Sequence, residues 1–461
     1  MKKLSGHIKS VIMVLACILS MDSCIYDYDT YDQTAETEDS DKALFVLHIM
    51  PVNTRGDLPG SVVERIKSLR VIAISKGEEG EDDVIEINRL VTFNDEASAD
   101  FGYAFTWHTT SGNKDFYIIA NEESVPSISF EDAADNLLPK EVKTLTNLTA
   151  LLNHYKATPN SGEFRLTPST SSKSTADNKT GESDMACDVA EFKKAINAVY
   201  FSPTYEIQEI QGDEKKQIFL PYTTCYENVE VKALKDNGFK ENSKTMYLVP
   251  VATKFIFNFY NYRLSPVYVN EISMKSINTN NFLVPRVGET DLKKAFDGTE
   301  YAWIDWLAKV SEASHDNMGF NENVDFNEKY GWISDYEMPE ETLEATTFVE
   351  QKNRIPGGDE DSPSKVSFGP YYRPESKKLK NADGQEYYLT ISLDDTVEGK
   401  QAPKLEDLLI SNLKALFRNT CVIINVTMRD GDVEVYAEIA DWNKKKANGW
   451  VVEGHEPNLT P

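Results

Sequence analysis

Near its end the chain alternates apolar and polar residues with a strict period of two. Val422, Ile424, Val426 and Met428 share one face, Arg429-Asp430-Gly431-Asp432 turn the chain, and Val433, Val435, Ala437 and Ile439 return opposite Glu434, Tyr436 and Glu438. Successive side chains point to opposite faces only in extended backbone, so this pattern is a β-hairpin and not a helix. A hairpin with one apolar face is marginal alone and must lie on a core.

The same period marks Phe255, Phe257 and Phe259 against Asn258, and Tyr387, Leu389, Ile391 and Leu393 against Tyr388, Thr390 and Ser392. Upstream, runs of strand length occupy Ala43 to Met50, Ser68 to Ile74, Val84 to Ile87 and Asp115 to Glu122, separated by clusters of Gly, Asn and Asp. Short strands punctuated in this way are the pattern of an all-β sandwich. One segment differs. Val142, Leu145, Leu148, Leu151 and Leu152 are spaced as on a helix, so Leu138 to Tyr155 should cover an edge or end of a sandwich. The fold class expected is therefore all-β, mainly β with a few helices.

A length of 461 residues is enough for more than one core. Asp236 to Ser243 form a turn-rich stretch between Val229-Glu230-Val231 and Met246-Tyr247-Leu248-Val249, which divides the chain into domains at 56–243 and 244–461. Residues 291–374, rich in Asn, Asp, Pro and Gly and with candidate helices at Tyr301 to Glu312, read as an insertion in the second domain. Ser169 to Ser183 carry no apolar anchor and read as an exposed loop, and no repeat of fixed period is present.

The first residues concern destination. Lys2, Lys3 and Lys9 precede an apolar run from Val11 to Met21, about half the ~20 residues a spanning helix needs, and this is the order of a secretory signal. Ser23-Cys24 places a small residue before a cysteine just past that run, the arrangement of a lipoprotein signal over residues 1–23, with Cys24 as the lipidated residue. Cys17 competes, but would leave an apolar stretch of only about six residues. From Ile25 to Asp41 the chain is acidic and without apolar period, a solvated tether that matches no EF-hand loop.

A net charge of −27 argues against a nucleic-acid partner, whose phosphates would be repelled. Cys187, Cys225 and Cys421 lie far apart, and the six histidines never fall at metal-ligand spacing, so free buried thiols and no metal or other cofactor are expected. The chain contains no nucleophile elbow, phosphate-binding loop or dinucleotide fingerprint, and is read as not an enzyme.

In the order of its motifs the chain resembles the fimbrillins of Bacteroidales-type bacteria, the type V pilins. The likeness rests on the lipoprotein signal, on a first strand followed by an arginine loop from Ala43 to Arg55, and on a strand running into Ala120-Asn121-Glu122. It rests further on Leu248 to Phe255 opening the second half, and on Arg418-Asn419-Thr420, a hairpin and Asp441-Trp442 at the end. The resemblance implies two tandem transthyretin-like β-sandwiches and export to the outer membrane on a lipid at Cys24. It implies that an arginine-specific protease cuts between Arg55 and Gly56, making 24–55 a tether and removable first strand. Loss of Leu44, Phe45, Val46, Leu47 and Ile49 then opens an apolar groove that templates strand addition. The implied donor is the C-terminal hairpin or tail of a neighbouring copy, with Val433, Val435, Ile439, Trp442, Trp450, Val451 and Val452 as candidates. Its partners are other copies of itself and other fimbrial subunits at the cell surface. The readings kept beside a polymerising subunit are a tip or anchor protein, or a monomeric glycan-binding surface lipoprotein.

Overall fold

The strand-length runs and alternating segments read from the sequence form strands in the computed structural model, with the run read from Asp115 to Glu122 ending at Ala120 and that read from Tyr387 starting at Tyr388. It describes residues 42–51, 62–77, 81–93, 103–131, 137–157, 164–167, 188–202, 219–238, 240–287, 336–337, 343–376, 386–395, 404–410, 413, 416–430 and 432–440.

Ten strands come from the first half: β1 (Lys42–Pro51), β2 (Ser68–Ser75), β3 (Val84–Thr92), β4 (Tyr103–Thr110), β5 (Gly112–Ala120), β6 (Ser129–Phe130), β7 (Phe164–Thr167), β8 (Val199–Phe201), β9 (Tyr222–Val231) and β10 (Asn242–Pro250). Their pairing order is β3-β2-β5-β9-β10-β1-β4-β7, with β6 and β8 set apart. This path is two layers joined at a corner. β10 meets β9 only at Val249 opposite Thr223 and Pro250 opposite Tyr222, while the rest of it pairs with β1. Phe45 of β1 stacks on Phe116 of β5 at 5.4 Å between ring centroids, so β10-β1-β4-β7 lies face to face with β9-β5-β2-β3.

Twelve strands follow: β11 (Thr253–Asn261), β12 (Val267–Asn278), β13 (Asn281–Phe282), β14 (Arg286–Val287), β15 (Tyr336–Glu337), β16 (Leu343–Val349), β17 (Asn353–Ile355), β18 (Ser364–Arg373), β19 (Tyr388–Asp395), β20 (Lys404–Leu409), β21 (Cys421–Arg429) and β22 (Asp432–Ala440). One sheet runs β18-β11-β21-β22 and the other β16-β12-β19-β20, with β17 beside β12. Phe257 of β11 packs on Phe348 of β16 at 4.9 Å, which closes the second sandwich. The sequence-read hairpin is β21–β22, paired without a bulge from Cys421 opposite Ala440 to Arg429 opposite Asp432. Within the segment read as an insertion, Leu343 to Arg373 supply β16, β17 and β18 to the two sheets. The candidate helices at Tyr301 to Glu312 and the loop at Ser169 to Ser183 lie outside the described residues.

The helical segment read from Leu138 to Tyr155 is two short helices, α1 (Lys140–Lys143) and α2 (Leu148–His154). Asn147 causes the break. It is the N-cap of α2, its side chain accepting from the Ala150 amide, and a cap takes extended backbone dihedrals that cannot continue a preceding helix. A third helix, α3 (Val189–Ala198), is capped by Asp188 and buries Phe192 and Ile196.

Among the described residues two large hydrophobic cores result, beside a small cluster of Ile256, Cys421 and Ile423. The first gathers β1, β2, β5 and β9 with α1 to α3 and extends to Met246, Leu248 and Val251; the second starts with Val249 and Phe255 and ends with Val426, Met428 and Ala437. The described residues from Ala43 onward nevertheless belong to one compact unit. Arg418 shows how the cores are tied. It is fully buried, its guanidinium pairs with Glu375 and donates to the carbonyls of Phe282 at 2.8 Å and Leu283 at 3.1 Å, and it reaches Thr223 of β9. Asn419, at φ 62°, donates its amide to the Ala252 carbonyl.

Cys225 and Cys421 are buried free thiols, as the sequence led us to expect; Cys187 lies outside the described residues. Burial pushes the Cys225 thiol well above its ordinary pKa, and the nearby carboxylates of Glu227 and Asp115 push it the same way. The reactive thiolate is therefore suppressed well past neutrality. Iodoacetamide at pH 8 is expected to label Cys225 only after denaturation, as read by peptide mass mapping; rapid labelling of the native protein would contradict the packing described.

Candidate functional site

The site is the seat of β1. Its ten residues, Lys-Ala-Leu-Phe-Val-Leu-His-Ile-Met-Pro, are mostly apolar without alternation, which is what a strand covered on both faces requires. Ala43, Phe45, Leu47 and Ile49 enter the first core at 1% exposure or less, while Leu44 and Val46 on the opposite face are also buried. Phe45 is the anchor. It lies 4.9 Å from Trp107 of β4 and against Phe116, and Trp107 meets Phe116 edge-on, so three rings close around one another.

On one side β1 runs parallel to β10, from Phe45 opposite Asn242 to Pro51 opposite Leu248, and on the other it adjoins β4. The Asn242 side chain adds a bond to the Leu44 carbonyl at 3.3 Å while also holding Lys232. Each wall is attached independently of β1. β10 joins β9 at its end and leads into β11, whereas β4 pairs with β7 and leads directly into β5. Taking β1 out leaves two strand edges one strand apart over an aromatic floor.

The chain re-enters the fold at a short 3-10 turn, Val62–Glu64. Val63 and Ile66 are buried in the first core, and the Glu64 carboxylate accepts from Lys254 of β11 at 2.8 Å and Tyr372 of β18 at 2.7 Å. Asn121, left-handed at φ 56°, accepts from the amides of Lys67 and Ser68 and donates to the carbonyls of Arg65 and Leu220. Beside it the buried Glu122 pairs with Arg70. These bonds explain the Ala120-Asn121-Glu122 motif physically: a strand end that staples two crossing segments needs a residue tolerant of positive φ and rich in donors and acceptors. In the facing layer Lys114 is also buried; burial pulls its pKa down, and Glu86 at 2.8 Å offsets part of that.

Of the residues singled out in sequence, Leu44, Phe45, Val46, Leu47 and Ile49 are brought together in β1. Val433 and Val435 lie in β22, half-buried against the second core of their own chain, and the backbone of Ile439 pairs with Val422. Cys24, Arg55, Gly56, Trp442, Trp450, Val451 and Val452 lie outside the described residues. Sequence reading missed Trp107, Phe116, Asn242 and Glu64, and met Asn121 only as part of the Ala120-Asn121-Glu122 motif. Only Glu64 left a trace, as a lone acid inside Val62-Val63-Glu64-Arg65-Ile66.

No family model matches the chain, and no curated protein matches it. Solved structures do. The tip fimbrial protein Mfa3 from Porphyromonas gingivalis, with C-terminal truncation, matches over 87% of this chain and 100% of that one, at 12% identity and a TM-score of 0.36. A fimbrial assembly protein from Parabacteroides distasonis matches over 86% of this chain and 96% of that one, at 10% identity and a TM-score of 0.31.

Proposed function

We propose that this chain is a structural subunit of a cell-surface fimbria, polymerising by protease-triggered donor-strand exchange and supporting adhesion. The observation that carries the reading is β1 itself: an apolar strand inside the first sandwich, seated between β10 and β4 and covered on both faces. In this reading the precursor reaches the outer membrane through a lipid on Cys24, and an arginine-specific protease cuts after Arg55. The open groove then takes a strand from another copy, or from a different fimbrial subunit. Backbone bonds along the groove contribute about 1 kcal/mol each, and each refilled side-chain site adds ~1.5 to 3 kcal/mol. The role is one of assembly and binding, not catalysis.

β22 is paired along its whole length with β21 and its valines pack on the second core, so donation of that strand requires unzipping its own sandwich. This favours the residues after Ala440 as donor. Arg55→Ala is expected to give folded, lipidated monomers and no detergent-resistant ladder on a gel, whereas the parent chain gives ladders whose subunits begin at Gly56. Ladders of undiminished length from the variant would sink the proposal, and a lipidated start at Cys24 in native fibres would favour an anchor.

A further inference from the structure

Resting on the reading that arginine cleavage releases β1, we infer that Glu64 and Asn121 determine which arginine can be cut, by locking the neighbouring Arg65 against the protease. Among the residues whose side chains are described, Arg65 and Arg354 are exposed. Arg354 lies within β17, paired with Tyr268. Arg65 stands ten positions after Arg55, so by side chain alone it is an equally good substrate. Cutting there would carry away Val63 and Glu64 and leave the first core open at Ile66.

Backbone geometry prevents this. A protease needs an extended stretch of several residues free of other bonds, so cleavage depends on burial and hydrogen bonding of the backbone around the target. Around Arg65 the carbonyls are taken one after another. Val63 accepts from the Leu220 amide at 2.6 Å, Glu64 from the Tyr222 hydroxyl at 2.9 Å, Arg65 from Asn121 Nδ2 at 2.9 Å and Lys67 from the Phe93 amide at 2.8 Å. The Lys67 amide is held by Asn121 Oδ1 at 2.7 Å. Val63 and Ile66 on either side are buried, and the Glu64 carboxylate is fixed by Lys254 and Tyr372 from the second half of the chain. The guanidinium of Arg65 is thus offered to solvent while its peptide bond is not.

Glu64 is the positioning residue, because its carboxylate is the only side-chain tie between this turn and β11 and β18 among the bonds just described. Weakening that tie loosens the turn from β11 and β18 and raises the population of the locally open state that a protease reads. The test is limited digestion of the folded full chain with an arginine-specific endoprotease, with new N-termini quantified over time. The parent protein should yield Gly56 and no Ile66 until global unfolding. Glu64→Gln should yield Ile66 at a rate raised roughly a hundredfold. Tyr372→Phe, which removes one bond and keeps the ion pair, should raise it about tenfold and serves where Glu64→Gln does not fold. An Ile66 terminus from the native parent chain as fast as from the variants overturns the lock. Absence of a Gly56 terminus instead counts against the removable-strand reading, and leaves the result at Arg65 to stand or fall by itself.

Discussion

A chain beginning at Gly56 is expected to lose most of the stability of its first sandwich and to regain it when a peptide of the sequence Lys42–Pro51 is added. Five sizeable apolar side chains, Leu44, Phe45, Val46, Leu47 and Ile49, leave buried sites on truncation. At ~1.5 to 3 kcal/mol each, the loss is roughly 8 to 15 kcal/mol, an upper bound because the unfolded chain already shelters part of that surface. The whole stability of a domain is about 5 to 15 kcal/mol, so the groove cannot stay empty at little cost. Differential scanning calorimetry, with a dye that reports exposed apolar surface, reads both arms of the experiment. A truncated chain that melts within a few degrees of the parent and ignores the peptide removes the basis for treating β1 as a plug.

Arg418→Met is expected to destabilise the protein by about 3 to 5 kcal/mol, because it leaves the Glu375 carboxylate charged and buried without its partner. Glu375 is 1% exposed, and it also accepts from the Arg418 amide at 3.1 Å while its own amide donates to Asn281. The pair Arg418→Met with Glu375→Leu should recover much of the loss, since no charge then remains to be dehydrated. Urea midpoints of the two variants provide the measurement. A single variant as stable as the parent would mean that the guanidinium bonds to Phe282, Leu283 and Thr223 are not what joins the cores.

β1 was legible because eight consecutive residues suit a strand covered on both sides, and β21–β22 because a period of two admits no other regular structure. Which strands flank β1 was not legible. The bond from Asn242 to Leu44 spans 198 positions and that from Tyr372 to Glu64 spans 308, and no local pattern records a partner so distant. Arg418, Asn419 and Asn121 stood out in sequence as parts of an order of motifs, without a reason. The structure supplies it: left-handed backbone at Asn121 and Asn419, and a buried cation serving the Phe282 and Leu283 carbonyls of the second half and the Thr223 hydroxyl of the first. Val433 and Val435 illustrate the reverse case. Their alternation announced a core-facing strand, but not that the core was their own.

The parallel course of β1 beside β10 also has a directional consequence. A replacement that keeps the pairing from Asn242 to Leu248 must thread in one sense only, and a slip by one position would turn its apolar side chains away from Phe116. On the proposed strand exchange, each junction in a fibre would repeat the same vector, and the filament would acquire polarity. One terminus would end in a vacant slot and the other in an unspent strand, so growth, capping and attachment to the cell would belong to chemically different ends.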